Sequence, residues 1–298
     1  MLAKTNQQID QILEETDWLK KRAFHQKAIF PWTQKVRARR RFHTHHPIED
    51  FLLNYYNFPL SYLEKWTPGP FTGLQGKEAK QIFPQKWTSQ TPDNYFYLDL
   101  NKIRKKEINR IRWIRELLEA ALKNPPIFNC YGLHEWAMVY KTQSVRHQKT
   151  PLRMPLEDLA KVVESQKISC SHYDAFRFFS QRAIPLNTLC PKHDAREKNE
   201  QTACIHFNMD LYKWSYKIFP WISSDFIQSA FKLAKKARSI DMQASPYNLE
   251  EYDLKPIKIE TPKGKLEYIE KQRSIRTEGL TLAKQLISHC KKLESHKM

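Results

Sequence analysis

Glycine is scarce in this sequence, with six residues in 298. So few glycines leave little room for glycine-rich phosphate-binding loops or for many tight hairpins. The five cysteines are scattered, which favours a reduced, cytoplasmic protein over a disulfide-bonded secreted one. The polar N-terminus predicts no signal peptide, and no apolar run approaches the ~20 residues that a membrane helix needs. We therefore expect a cytoplasmic protein with no membrane partner.

Acidic residues are also in deficit. The chain has 50 Lys and Arg against 32 Asp and Glu, a net charge of +18. Such a surplus favours a polyanionic partner. The deficit is greatest from Trp18 to Ile48, where no acidic residue occurs. Basic side chains in such a segment can neutralise adjacent phosphates, so it predicts contact with DNA or RNA. The alternative is a solvated basic surface.

Length and composition predict a globular protein with a substantial core, since hydrophobic residues make up 41% of the chain. Helical periodicity dominates the sequence, so the predicted fold class is mainly α, a single multi-helix domain with minor short strands. Its predicted parts are a basic helical arm at 1–58, a proline- and tryptophan-rich loop connection at 59–95, and a helical core at 96–298.

The individual elements follow from the same periodicity and from helix-stop signals. Helices are predicted at about residues 7–26, 101–123, 155–165, 173–179, 209–218, 223–241 and 266–296. A short strand is predicted at 95–100 and a short extended piece at 255–261.

The densest group of thiols, imidazoles and carboxylates lies at residues 168–220. Two segments there share one order of side chains, namely Cys170, His172 and Asp174 in the first and Cys204, His206 and Asp210 in the second. Such side chains ligate metals or move protons. Upstream, His134 and Glu135 resemble the start of a zincin helix, but position 138 is Met, so that motif is absent.

Several interpretations of these residues stay open. A structural zinc site would use Cys170, His172, Cys204 and His206, with Cys190 and His193 as further candidates, although Cys-x-His is not the usual ligand spacing. A carboxylate–histidine metal centre would use His172, Asp174, His206 and Asp210. In a metal-free site an Asp would activate water. Otherwise these side chains are hydrogen-bonded core groups.

A family resemblance is carried by four segments. They are HEWAMVY from His134, CSHYDAFRFF from Cys170, NMDLYKW from Asn208, and DM-x-ASPY from Asp241. From roughly Arg37 to Gln272 the chain resembles a bacterial family labelled 3-methyladenine DNA glycosylase. The sequence lacks the glycine-rich hairpin of helix-hairpin-helix glycosylases.

The resemblance implies a DNA-repair N-glycosylase that flips out an alkylated base and hydrolyses its glycosidic bond with help from a carboxylate. The candidate catalytic residues are Asp210, the first choice, then Asp174, Glu135, His134, His172 and His206. The candidate base-binding residues are Trp136, Tyr173, Tyr212, Trp214 and Asn208. The candidate DNA-backbone contacts are Arg37, Arg39, Arg40, Arg41, Arg146 and Lys213.

Helical spacing refines the catalytic prediction. On one helix His206, Asp210, Lys213 and Trp214 would share a face, which predicts a wall that presents Asp210 to water. No cofactor is expected, and the runner-up is zinc or iron at Cys170, His172, Asp174, Cys204, His206 and Asp210. The alternative functions are a metal-dependent small-molecule enzyme with His and Asp ligands and a non-catalytic nucleic-acid-binding protein.

Overall fold

The computed structural model describes residues 8–142 and 150–296, and helices account for 60% of it. The α-helices are α1 Glu15–Arg41, α2 Phe51–Tyr56, α3 Leu60–Glu64, α4 Lys105–Lys123, α5 Leu133–Val139, α6 Leu156–Glu164, α7 Tyr173–Phe176, α8 Arg196–Asn199, α9 Ile205–Lys217, α10 Ser224–Gln243 and α11 Pro262–Ser295. The strands are β1 Gln11–Leu13, β2 Thr72–Leu74, β3 Thr88–Gln90 and β4 Phe96–Leu98. The predicted mainly α class with minor strands is confirmed.

The chain forms two compact units, each assembled from segments that are distant in sequence. Unit 1 comprises Met1–Arg115, Tyr212–Lys232 and Lys284–Met298. Unit 2 comprises Glu116–Leu211 and Leu233–Ala283. These units cut across the predicted arm, connection and core, whose separate roles stay predictions. None of the described helices combines the length and the apolar character needed to cross a membrane.

The basic N-terminal segment is a long helix that packs into unit 1 along one side. Helix α1 buries Trp18, Ile29, Trp32 and Val36. Their helical spacing places these side chains on one face, and the charged residues between them point outward. The ring of Trp32 lies 4.5 Å from that of Phe231.

The prediction of a helix over residues 7–26 is wrong at its start. Residues Gln11–Leu13 instead form β1, which pairs in parallel with β2. The sheet has the strand order β1-β2-β4-β3, and its other pairs are antiparallel. Strand β4 lies inside the predicted strand at 95–100. The piece predicted to be extended at 255–261 belongs to no strand, although Ile257 and Ile259 are buried there.

Buried His25 in α1 is held as a neutral imidazole. Its Nε2 lies 2.9 Å from the carbonyl oxygen of Leu63, and its Nδ1 lies 3.4 Å from Nε2 of Gln228. A ring that donates through Nε2 and accepts at Nδ1 carries one proton. Burial lowers the pKa of His25, and the bond to Leu63 offsets this only in part.

We expect His25 to make unit 1 less stable in acid. Because its pKa is lower in the folded protein, the unfolded chain takes up the proton first, so the free energy of unfolding falls below about pH 6.5. Urea unfolding at pH 7 and pH 5 measures this effect. The wild type should lose more stability between these values than His25→Gln, which keeps a donor and an acceptor. An equal loss in both proteins would show that His25 is not responsible.

Unit 2 brings four polar segments together. They are the start of α5, the residues that lead into α7, the first turns of α9 and the last turns of α10. Gly279 on α11 allows a close approach to α9, because a Cβ at that position would lie 1.7 Å from Oδ1 of Asn208. The Asn208 amide donates to the carbonyl oxygens of Thr202 and Cys204, at 3.0 and 2.8 Å, and so fixes the start of α9.

Candidate metal centre

All six predicted catalytic side chains are buried in unit 2, where they join one continuous group with four further charged residues. We call these ten residues the central cluster: His134, Glu135, His172, Asp174, Arg196, Glu200, His206, Asp210, Arg238 and Asp241. The imidazole of His206 lies at its middle, with ring centroids 4.6 Å from His134 and 5.4 Å from His172.

Local helix geometry positions these side chains. His206 and Asp210 are four residues apart on α9, and Arg238 and Asp241 are three apart on α10, so each pair shares a helix face. Helix α5 is buried along its whole length, so both His134 and Glu135 point into protein. The cluster therefore forms where three helices and the segments around α7 and α8 expose polar faces to one another within unit 2.

The first half of the cluster is organised by Arg238. Its Nη1 donates to Oε1 of Glu135 at 2.6 Å and to Oδ2 of Asp241 at 2.7 Å. The other oxygen of Asp241, Oδ1, lies 2.8 Å from Nε2 of His134. Arg238 thus neutralises part of the carboxylate charge and orients Asp241 toward the imidazole.

The second half repeats this plan around Arg196. Its guanidinium donates to Oδ2 of Asp174 at 2.8 Å and to Oε1 of Glu200 at 3.0 Å. His172 lies between two carboxylates, with Nδ1 3.3 Å from Oε1 of Glu200 and Nε2 3.5 Å from Oδ2 of Asp210. Each half therefore has an arginine that bridges two carboxylates and an imidazole that faces a carboxylate oxygen.

Two sets of three side chains have the geometry of metal ligands. In the described chain they are His134, His206 and Asp241, and His172, Asp174 and Asp210, and within each set the ligand atoms all lie within 4.8 Å of one another. All six are buried. The carboxylate–histidine centre predicted from the sequence is divided between these sets, because His206 lies in the first and His172, Asp174 and Asp210 lie in the second. Metal binding by either set stays a prediction.

His134 and His206 differ in their protonation. Burial, reinforced by the neighbouring imidazoles of His134 and His172, lowers the pKa of His206 to about 3, so His206 is neutral. Burial also opposes a charge on His134, but Asp241 and Cys130 outweigh it and hold the pKa of His134 well above its usual value. Burial would raise the pKa of Asp241, yet His134 and Arg238 hold it below its ordinary value.

Three thiols border the cluster. Cys130, Cys170 and Cys204 line a narrow cavity of about 10 Å³ together with His134 and His206, a space for roughly one water. The Sγ of Cys130 lies 3.9 Å from Nδ1 of His134. A hydrogen bond with Cys170 lowers the pKa of Cys130 despite its burial, and His134 lowers it further. Of the other predicted zinc ligands, Cys190 is exposed, and the His193 ring lies 5.4 Å from that of Tyr173.

The candidate base-binding residues are mostly buried. Trp136 is fully buried, and its indole N–H donates to the carbonyl oxygen of Ala244 at 2.8 Å. Tyr212 packs 5.2 Å from Phe231 in unit 1, and Trp214 lies 5.2 Å from Trp113 there. These three rings and Asn208 are buried, so none of them presents an accessible surface to a base. Tyr173 is half-buried, with the Arg196 guanidinium 5.3 Å from its ring.

The candidate DNA-backbone arginines lie near the end of α1. Arg37 donates to Glu64, and Arg39 donates to Asp50, with 2.6 Å between Nη2 and Oδ1. Glu64 and Asp50 therefore neutralise part of the positive charge that was predicted to contact DNA phosphates. Arg40 and Arg41 are exposed. Arg146 lies outside the described residues, and the role of all these side chains in DNA binding stays a prediction.

The predicted wall on α9 divides between the two units. His206 and Asp210 belong to the central cluster in unit 2. Lys213 and Trp214 belong to unit 1, where the Lys213 ammonium lies 4.1 Å from the Trp214 ring centroid. Observed α9 begins four residues before the predicted helix, which places His206 and Asp210 on successive turns.

Sequence reasoning missed four members of the cluster and one neighbouring thiol. They are Arg196, Glu200, Arg238, Asp241 and Cys130. Asp241 stands in one of the segments that carried the family resemblance, and its spacing of three from Arg238 is a helical pair signal. Arg196 and Glu200 lie between the helices predicted at 173–179 and 209–218, in a stretch with no predicted element.

Comparison with family models, curated proteins and solved structures found no match. The resemblance to 3-methyladenine DNA glycosylases therefore stays a prediction, and function must be argued from the geometry of the central cluster.

Proposed function

We propose that the central cluster binds a divalent transition-metal ion and that this protein is a metal-dependent hydrolase. The supporting observation is the composition of the cluster, which has five carboxylates, three imidazoles and two guanidinium groups at buried positions. Arg177, 43% exposed at the rim, lies 3.4 Å from Asp174. Even with Arg177 and a protonated His134 counted beside Arg196 and Arg238, the five carboxylates outnumber the cationic groups. Buried charge of one sign is costly unless a cation balances it. A metal ion held by imidazole and carboxylate would do so.

The best-suited ligands are His134, His206 and Asp241, and a bound metal ion would displace the proton between His134 and Asp241. Two imidazoles and one carboxylate leave open coordination positions, as in catalytic zinc and non-haem iron sites. Two atoms bound at about 2.1 Å lie at most about 4.2 Å apart. The three ligand atoms, all within 4.8 Å, therefore need only a small closure. Arg238 supports this set from outside by holding the second oxygen of Asp241.

The second ligand set supplies proton chemistry beside the first. A bound metal ion would lower the pKa of its water and provide a hydroxide nucleophile. Glu200 faces Nδ1 of His172 and orients the ring, while Nε2 faces Asp210. The His172–Asp210 pair is thereby placed to accept a proton from the water. This set offers one imidazole and two carboxylates, so it also suits a second metal ion.

Metal content tests the proposal. We expect the purified wild-type protein to contain at least about one zinc, iron or manganese ion per chain by elemental analysis. His206→Ala should lose this metal because it removes a neutral ligand at the middle of the cluster. His193→Ala, which removes an exposed histidine of the same unit, should retain it. Thermal melting with and without chelator gives a second readout, since metal at ~100 times its Kd stabilises by about 2.7 kcal/mol. Absence of stoichiometric metal, with melting insensitive to chelator and added metal, would refute the proposal.

A second candidate function is the DNA N-glycosylase. It is favoured by the proximity of Asp210 and His172, 3.5 Å apart, which gives a carboxylate–imidazole pair able to activate water without a metal. The net charge of +18 suits a DNA substrate. The two candidates differ in what a chelator does, because only the hydrolase loses its nucleophile when metal is removed.

A further inference from the structure

Unit 1 contains a cavity that the proposed function does not use. Its volume is about 340 Å³, at the lower end of the 300–1,000 Å³ typical of small-ligand pockets. The turn at Pro59 and helix α3 form one side, the loop at 81–87 a second, and the end of α9 with Phe219 a third. All of these segments belong to unit 1.

Aromatic rings form much of the wall. The ring of Tyr62 lies 5.6 Å from that of Phe219 and 6.4 Å from that of Tyr216. Trp87, in the loop at 81–87, also lines the cavity and is half-buried. Tyr62 is 43% exposed. Exposed ring faces beside a cavity offer stacking surfaces for a planar ligand.

Two lysines stand beside these rings. The ammonium of Lys86 lies 3.8 Å from the Trp87 ring centroid, and that of Lys65 lies 5.3 Å from the Tyr62 ring centroid. The lining residues include no Asp or Glu. Across residues 8–142 and 150–296, neither ammonium forms an ion pair with a carboxylate. The cavity therefore combines aromatic faces with positive charge that no acidic side chain neutralises.

We propose that this cavity binds a nucleotide, with the base against the rings of Tyr62 and Trp87 and the phosphate at Lys65 and Lys86. A neutral aromatic ligand would leave both ammonium groups without an anion, and an inorganic anion would leave the rings uncovered. A planar base that carries a phosphate satisfies both. A free mononucleotide and a nucleotide within a single strand share this chemistry. The inference is independent of the metal centre.

Calorimetric titration with AMP tests the site. AMP should bind at least about tenfold more tightly than adenosine, which lacks the phosphate, or ribose 5-phosphate, which lacks the base. Lys65→Ala combined with Lys86→Ala should weaken AMP binding at least about tenfold. Lys77→Ala combined with Lys80→Ala removes two exposed lysines of a neighbouring turn that do not line the cavity, and it should change nothing.

The rings are tested separately. Trp87→Leu should weaken AMP binding by roughly tenfold, because one base–aromatic stack contributes about that much to affinity. Tyr62→Leu, which removes the exposed ring, gives the same test if Trp87→Leu alters the thermal midpoint. Quenching of tryptophan fluorescence by AMP in the wild type, and its reduction in Trp87→Leu, would place the ligand at this ring.

A ten-residue single-stranded oligonucleotide distinguishes the two sources of the ligand. Tighter binding than AMP, with log K falling by roughly 0.7 per phosphate contact as log salt rises, identifies a nucleotide within a strand. Affinity no better than that of AMP identifies a free nucleotide. Failure of both AMP and the oligonucleotide to bind at millimolar concentration would overturn the proposal. Equal binding by the wild type and a folded Lys65→Ala/Lys86→Ala protein would also overturn it.

Discussion

Replacing Arg238 by Met should lower the free energy of unfolding by about 3–5 kcal/mol. Arg238 is fully buried and donates to both Glu135 and Asp241. Without the guanidinium, two buried carboxylates lose their shared cation in a cluster that already has more carboxylates than guanidinium groups. Met keeps an apolar side chain in place of the aliphatic part of Arg, so most of the loss comes from removing the guanidinium. Urea unfolding in the presence of chelator measures the effect without a contribution from bound metal.

Lys236→Met is the matched control for this substitution. Lys236 is two residues away on α10 and pairs with Glu278 at the surface, where both side chains are 47% exposed. An exposed ion pair contributes at most about 1 kcal/mol. Adding Glu135→Gln to Arg238→Met should restore part of the lost stability, since it removes one uncompensated charge. If Arg238→Met lost no more stability than Lys236→Met, the cluster would not depend on its arginine.

In either candidate function, Asp210→Asn should lower the rate of substrate hydrolysis by about 10²–10⁴-fold, because an amide cannot accept a proton from water. Release of 3-methyladenine from methylated DNA is the assay for the second candidate function. The stability of the metal-free protein should be unchanged or higher, because this substitution removes negative charge from a cluster that has too much of it. The expected contrast, with stability kept or raised in Asp210→Asn and lowered in Arg238→Met, tests the charge balance directly.

Chelation separates the two candidate functions. Base release that persists in chelator and is lost in Asp210→Asn would support the glycosylase and count against the metal-dependent hydrolase. Asp194→Asn, an exposed residue of unit 2, is the control and should remain active. If wild-type protein releases no base with or without metal, the glycosylase is refuted. Asp210→Asn protein that stays fully active would remove Asp210 from the mechanism.

Local sequence determined the long helices. Helices α4, α6, α10 and α11 lie close to their predicted ranges because apolar spacing and proline or capping signals act within a few residues. The N-terminus shows the limit of such signals. Residues Gln11–Leu13 were predicted to be helical, yet they pair with β2, about sixty residues away. Backbone hydrogen bonds to a distant strand here override a local preference.

The sequence also determined which residues supply the imidazoles and most of the carboxylates. His134, Glu135 and the histidines and aspartates of the segments that begin at Cys170 and Cys204 all lie in the central cluster. It did not determine their partners. Arg238 and Asp241 come from another helix, and Arg196 and Glu200 come from a segment with the composition of a loop. Their role exists only because unit 2 folds these segments together.

Tertiary structure alone decided which aromatic residues fill the core and which line a cavity. Trp136, Tyr212 and Trp214 have the same helical spacing whether they bind a ligand or fill a core, so no pattern separates the two roles. Burial separates them: Trp136 is fully enclosed and donates to Ala244, whereas Tyr62 and Trp87, in a stretch with no clear period, line an open cavity. Spacing along a chain specifies which face of a helix a residue occupies, and only packing specifies what that face meets.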